Sequence, residues 1–491
     1  MKRSLDISET KAEINADELR LAQMGHTQEL NRHFSTLSLI GLASTTTISW
    51  TGLGLGLITE IGAGGPGAVI YGFILVTILQ CFLGASLAEF VSSYPTEGGM
   101  YHWIAAVAPR RATGILSFLT GWFSVLGWIF TTASTNIIYA QILMALVALY
   151  ISDLEIKAWQ TFIVYQGLNL LTAAVVMFGN KIIPALNKFS LFYLQIGWLV
   201  VLVTVVACAP THRDPEFVFR TWINTTGWNN NAICFITGLV NPLYSLGGLD
   251  GVTHITEEMP NPSKNAPLAI AITLVIAFCT GLTYLISLMF SIQDFDQLTS
   301  GNTGMPLAEL FRQVTQKTGG AFGLLFILFI ALGPCVISSQ LSTGRIFWAF
   351  SRDGAIPLSK LVQGPPKTQD PFQFTACSHG SHCCSGLFVS WLIDRIQLSA
   401  RHGRHYQQYF LHVPNSHQPA DRQEEHAQGC VPHGSNHRSH CQHRDSLLVN
   451  VCHHLLLLPL RYASRGCKYE LHLRRRRWPG NPNWRMVVEG W

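Results

Sequence analysis

The stretch LSLIGLASTTTISWTGLGLGLIT, residues 37–59, decides how this chain folds. It is uncharged and longer than the roughly 20 residues a helix needs to cross a ~30 Å hydrocarbon core. Its centre, however, holds Gly52, Gly54 and Gly56 beside Thr45, Thr46, Thr47, Ser49 and Thr51. Glycine costs about 1 kcal/mol in a helix interior, and a polar cluster is unfavourable in lipid. One reading is a helix that breaks at membrane depth, where irregular backbone is tolerated only if it is buried in protein or lines a cavity. The other is close helix packing through small residues. The glycine spacing also approaches a dinucleotide-binding fingerprint, but no strand–turn–helix context supports that, and it is discarded.

A second stretch of the same kind is GLVNPLYSLGGLDGVTHITEEMPNP, residues 238–262, with Asn241-Pro242, Gly247-Gly248 and then Asp250 before Glu257 and Glu258. Uncharged windows fall at 34–59, 61–88, 112–152, 158–180, 189–211, 223–249, 265–293 and 318–344, so the two interruptions occupy the first and sixth. That spacing is what an inverted repeat of five helices requires. In such folds the N–H groups of half-helices face an anionic part of a substrate, while carbonyl ends favour a cation.

Composition agrees with a membrane class. Of 491 residues, 48% are apolar and only 12% charged, against about 25% charged in an ordinary soluble protein. The expected fold is an all-α polytopic membrane protein. Residues 1–33 are polar and lack a secretory signal. Lys2, Arg3, Lys11, Arg20 and Arg32 share a side with Arg110, Arg111, Lys181, Lys188, Lys264, Arg345, Arg352 and Lys360; Lys157, Arg213, Arg220, Arg312 and Lys317 fall on the other. The excess predicts a cytoplasmic N-terminus. The expected organisation is a cytosolic tail (1–33), a transmembrane region (34–360), a cytosolic loop (361–372) and a frame-shifted, poorly ordered tail (373–491). The cysteines before residue 373 are scattered through apolar windows, which argues against a disulfide framework.

Several motifs then carry a family likeness: LAQMGHTQELNRHFS (21–35), ISWTGLGLGL (48–57), SLAEFVSSYPTEGGMYHW (86–103), EEMPNPSKNAP (257–267) and STGRIFWAFSRDGAIPLSK (342–360). From about residue 20 to 372 the chain resembles the fungal amino acid/choline/GABA permeases of the amino acid-polyamine-organocation transporter superfamily. The resemblance implies a twelve-helix permease of the five-plus-five inverted-repeat fold. Its substrate would bind between helices one and six near the bilayer midplane, and no chemical bond is made or broken, so it is a transporter and not an enzyme. The implied substrates are amino acids, GABA, choline and related small amines, driven by a proton as co-substrate across the plasma membrane. The resemblance implies no cofactor, metal or nucleic-acid partner; besides the substrate, the partners are a proton and the lipid bilayer.

Carried over residue by residue, the first break comprises Ser49, Trp50, Thr51, Gly52 and Gly54, whose backbone N–H groups would hold a substrate carboxylate. The second comprises Tyr244, Ser245, Leu246, Gly247 and Gly248, with Tyr244 as an aromatic gate and Gly247 giving backbone room. The faces of Trp50, Trp122, Trp128 or Tyr244 would attract a quaternary ammonium, by about 2 kcal/mol when desolvated. For Trp122 and Trp128, interfacial anchoring or plain packing is the commoner use. Glu89 and Asp250 interrupt or close apolar spans, which marks them for coupling or for a structural gate. Some members of the superfamily place a Lys in the middle of helix five. Here FSLFYLQIGWLVV (189–201) has Gln195 near that place and Lys188 before it, leaving the coupling mechanism open. Glu257, Glu258, Arg345, Arg352 and Asp353 would form an inner gate whose opposite charges pair in the outward-facing state; helix-end capping and positive-inside anchoring are the alternative.

The family predicts four more helices after PKTQDPF (366–372), but residues 373–491 offer none. Fourteen of the 19 His and seven of the 12 Cys fall there, and the best apolar run is interrupted by His453 and His454. Their spacing fits no closed zinc site, and the basic CKYELHLRRRRW (467–478) would attract lipid or nucleic acid by charge alone. Codons permitted for that stretch, read one nucleotide later, give NMNY followed by an apolar run. In the same frame HCQHR (440–444) can give IVNIV, and QFTACSHGSHCC (373–384) can give an apolar string. Agreement in one frame and in family order predicts a reading-frame error beginning near Phe372. The competing readings are a channel or receptor-like membrane protein, which predicts no paired helix breaks, and a non-functional truncated permease.

Overall fold

The computed structural model describes residues 34–356, apart from residues 152, 153, 155, 180 and 301–304, together with Leu19, Leu21 and Ala22. Nearly all of the expected cytosolic tail, Lys360, the loop 361–372 and the tail 373–491 lie outside the described residues. The reading-frame expectation falls wholly there.

Every uncharged window becomes helical, but two do so in pieces. The first is α1 (Thr36–Thr46), α2 (Ser49–Leu55) and α3 (Leu57–Gly62). The second is α4 (Gly65–Ser93), followed by a short α5 (Met100–Val107); the third to fifth are α6 (Thr113–Ala148), α7 (Ala158–Phe178) and α8 (Ile183–Cys208). After a single turn of helix, α9 (Pro215–Arg220), the sixth comprises α10 (Asn231–Gly238), α11 (Val240–Ser245) and a 3₁₀ helix (Leu249–Glu258). The seventh is α12 (Pro262–Ser291), and beyond α13 (Phe295–Ser300) and α14 (Pro306–Thr315) the eighth is α15 (Thr318–Arg352). Among the described residues seven segments, with the sixth taken from Asn231 to Glu258, are long and apolar enough to cross a membrane; the divided first window adds an eighth helical stretch. The protein is an all-α, multi-pass membrane protein, and no strand occurs among the described residues.

The breaks do not sit where the glycines alone place them. The hydroxyls of Thr45 and Thr46 turn back onto the Leu42 carbonyl, at 2.8 and 3.0 Å, the local competition with the backbone that bends helices. Thr47 is extended and Ser49 takes a positive φ of 27°. Ser49 to Leu55, which include the residues expected to be the break, therefore form a helical turn with an interruption on each side, at Thr47–Ile48 and at Gly56. In the sixth span Tyr244 and Ser245 remain helical, and the chain turns at Leu246–Gly248, where Gly248 is left-handed at φ 75°.

Two boundaries differ from the windows for physical reasons. α8 begins at Ile183 because Pro184 occupies its first turn, where a missing N–H costs nothing. α15 continues to Arg352, beyond the uncharged window, because Arg345 and Arg352 find carboxylate partners.

Each of the first three spans packs on the span five places later: α2 meets α11, α4 meets α12, and α6 meets α15. This is the pairing that two superposed five-helix repeats bring about. The core lies between these pairs, built on Leu53, Phe73, Leu285, Leu325 and Val336. Phe82, Phe123 and Phe178 are exposed on the outer surface, as expected where the surrounding medium is hydrocarbon.

Candidate functional site

The two interruptions lie against each other. A Cβ on Gly248 would come within 2.7 Å of the Thr46 carbonyl oxygen, and one on Gly52 within 2.9 Å of Ser245 Oγ. Gly56 leaves room for the side chain of Asn241, whose Nδ2 donates to the Leu53 carbonyl at 3.1 Å and to Glu60 Oε2 at 2.8 Å. The start of α2 leaves the amides of Ser49, Trp50 and Thr51 without an acceptor inside their own helix. Ser44 Oγ, Thr47 Oγ1 and Ser245 Oγ are buried and unpaired. Unpaired buried hydroxyls cost about 1–3 kcal/mol each, and these three fall on the two interrupted spans.

The aromatic residues named from the sequence make specific contacts. The Tyr244 hydroxyl is shared with Ser134 Oγ at 2.8 Å and Thr135 Oγ1 at 3.0 Å, tying the sixth span to α6. Trp50 is fully buried, edge-on to Tyr284 with ring centres 5.4 Å apart, and a Cβ on Gly197 of α8 would come within 3.7 Å of its Cζ2. Gln195 is half-buried two residues away; it is Gly197 that meets Trp50. Trp122 packs against Phe118 and Phe350. Trp128 Nε1 donates to Asp250 Oδ2 at 3.0 Å, and its ring meets His254 edge-on. The amides of Leu246 and Gly247 donate hydrogen bonds to the carbonyls of Pro242 and Tyr244, closing α11.

A second constellation gathers the charges. Arg345 Nε donates to Glu258 Oε1 at 2.5 Å, and Arg352 holds Glu257 with both Nη atoms at 3.1 Å. Asp353 Oδ2 accepts from the Tyr101 hydroxyl and pairs with His102 Nε2, each at 2.8 Å. The Phe34 amide donates to the Glu258 carbonyl, so the cluster lies at the end where the first span begins. The gate residues inferred from sequence thus come together. Three neighbours from SYPTEGGMYHW were missed: Glu97, Tyr101 and His102. Burial works against the ionised Asp353 carboxyl, yet the bonds from His102 and Tyr101 outweigh it and hold the group below the usual carboxylate range. Burial and the adjacent Asp353 raise the Tyr101 phenol. Asp250 lies apart, with Trp128 and with His254 Nε2 at 3.5 Å, and Glu89 is exposed.

Sequence reasoning also passed over Glu60 and Asn241. Glu60 stands one place past the first uncharged window, so a search for uncharged runs removes it. Asn241 was visible only as half of a helix-breaking Asn-Pro pair. A further polar chain was legible only as hydroxyls in the eighth window: Thr45 to Ser338 at 3.0 Å, and Ser338 to Asn187 Oδ1 at 3.2 Å.

This arrangement has relatives. The chain is 35% identical over 334 residues to the choline transporter of Saccharomyces cerevisiae, an alignment covering 68% of this chain and 59% of that one. It is 28% identical over 363 residues to the amino-acid permease BAT1 of Arabidopsis thaliana, covering 71% and 70%. With the swainsonine transporter swnT of Arthroderma benhamiae it shares 29% identity over 341 residues, covering 69% and 67%. The chain thus spans less than two thirds of the length of the yeast relative. A family model described as amino acid permease matches residues 34–399, well over half of the sequence and all eight helical spans; by that match, and by the paired interruptions it encloses, the chain belongs to the amino acid permease family.

Proposed function

We propose that this protein is a secondary active transporter for a small amino acid or related amine, GABA and choline included. It works by alternating access, takes a proton as co-substrate, and resides in the plasma membrane with its N-terminus in the cytoplasm. The observation that carries the reading is the junction of Thr46 with Gly248 and Gly52 with Ser245, lined by unpaired buried hydroxyls. A substrate carboxylate sits at the free amides of Ser49, Trp50 and Thr51, where the helix start is partially positive. Its amino end meets carbonyl and hydroxyl oxygens of the two breaks, Thr46 among them. In this reading the pairs Arg345–Glu258 and Arg352–Glu257 hold the cytoplasmic end closed in the outward-facing half of the cycle, and their formation supports it.

Choline is the second substrate reading, favoured by the yeast relative's name. Trp50 would supply an aromatic face to it from a fully buried position, packed edge-on with Tyr284. The frame inference belongs here too: the nucleotide sequence, read one position later from near Phe372, should be open and encode apolar helices. A shifted frame filled with stop codons sinks that part. Competition uptake by the frame-corrected chain, with GABA, choline and a panel of amino acids, tests the whole reading. Failure of every compound to be taken up refutes it.

A further inference from the structure

We propose that Glu97 is a proton-binding site: its carboxyl carries a proton while the charged cluster is closed and releases it to water when the cluster opens. The charges do not balance otherwise. Four carboxylates, Glu97, Glu257, Glu258 and Asp353, meet two guanidinium groups, Arg345 and Arg352; Arg345 pairs with Glu258, and Arg352 with Glu257 and, at 4.0 Å, with Asp353. Glu97 is wholly buried, and neither of its carboxyl oxygens has a hydrogen-bond partner. Its backbone is pinned on both sides, the amide donating to Glu257 Oε1 at 3.4 Å and the carbonyl meeting His254 Nδ1 at 3.1 Å. The side chain therefore stays in the cluster. An ionised carboxylate buried without a donor costs far more than one that has taken up a proton.

The surrounding groups set the direction. The 3₁₀ helix contributes Glu257, Glu258 and His254, with Asp250 behind His254. α15 contributes Arg345 and Arg352 and leads into Asp353; α5 brings Tyr101 and His102, which occupy Asp353. Burial, and then the like charges of Glu257 and Glu258, push Glu97 well above the usual carboxylate range despite Arg345 and Arg352. Opening admits water and returns it toward the ordinary value of about 4.3. The closed state thus binds one more proton than the open one. Acidification favours closure, by up to about tenfold in the closed-to-open ratio per pH unit between the two values.

The inference rests on the transport reading only in treating the cluster as something that opens, and its test needs no transport. In the purified full chain in lipid nanodiscs at neutral pH, infrared spectroscopy should show the C=O stretch of a protonated carboxylic acid that disappears in Glu97→Gln and persists in Glu60→Gln, a buried carboxyl outside the charged cluster. Hydrogen exchange of the segments around Glu257 and Arg345, corrected for the intrinsic rate, should slow on acidification in the parent and be slow and pH-independent in Glu97→Gln. A spectrum unchanged by Glu97→Gln, or an unchanged pH dependence, overturns the proposal. So does a Glu97→Gln chain that fails to fold, because Gln is the neutral isostere of a protonated Glu. Absent uptake by the frame-corrected chain with the infrared result intact sinks the transport reading and spares this one.

Discussion

Gly248 is where the two broken spans touch, at φ 75° and against the Thr46 carbonyl. Gly248→Ala strains the backbone and pushes on the first span together, so we expect a cost of about 1–3 kcal/mol. A lowered thermal midpoint and weakened substrate binding would show it, while Gly247→Ala, with no positive φ, should lose less. Arg345 and Glu258 form a pair buried on both sides. Arg345→Met alone strands a buried carboxylate and should destabilise by about 3–5 kcal/mol. Adding Glu258→Gln should recover most of that in a double-mutant cycle, and additive losses would show that the pair is not coupled. The Asp353 site has the opposite pH sense to Glu97. Its folded value is depressed, so its stabilising contribution is present above the unfolded value of about 3.9 and is lost as pH falls through the lower folded value. His102→Ala removes that partner and should raise the pH at which acid unfolding begins.

Among elements, the first span shows how a local signal and a tertiary one combine. Its glycines and threonines mark an interruption. Its exact geometry comes from Thr45 and Thr46 bonding backward and from Asn241 reaching across from the sixth span to the Leu53 carbonyl and Glu60. Asn241→Ala leaves that carbonyl and the Glu60 carboxyl without their shared donor, for an expected loss of about 1–3 kcal/mol per stranded group. Hydrogen exchange in α2 and α3 should rise in that variant, whereas an unchanged α2 would mean the bridge is incidental. The uncharged window hid Glu60 because a hydropathy window ends at the first charge, though a carboxyl held by an amide can lie inside the fold. The eighth span shows the same limit: Arg345 and Arg352 stopped the window, but their partners on the 3₁₀ helix keep the helix going to Arg352.

For the molecule as a whole, we expect a frame-corrected chain to take up labelled substrate and the chain as written to take up none. Membrane-inserted vesicles carrying each give the comparison, and equal uptake would refute the difference. Eight spans, their all-α character and the pairing of the first interruption with the sixth were legible in the sequence. Apolar length and glycine, proline and hydroxyl content are properties of a single segment, and in a bilayer a segment must satisfy its own backbone. The sequence also named Glu257, Glu258, Arg345, Arg352 and Asp353 as a group, without their pairing. Only the tertiary structure decided that Glu258 takes Arg345, Glu257 takes Arg352 and Asp353 takes His102, leaving Glu97 among them with no donor. Those partners stand 87, 95 and 251 residues apart. Which of them meet depends on how whole helices pack, and neither hydropathy nor periodicity along one segment carries that information.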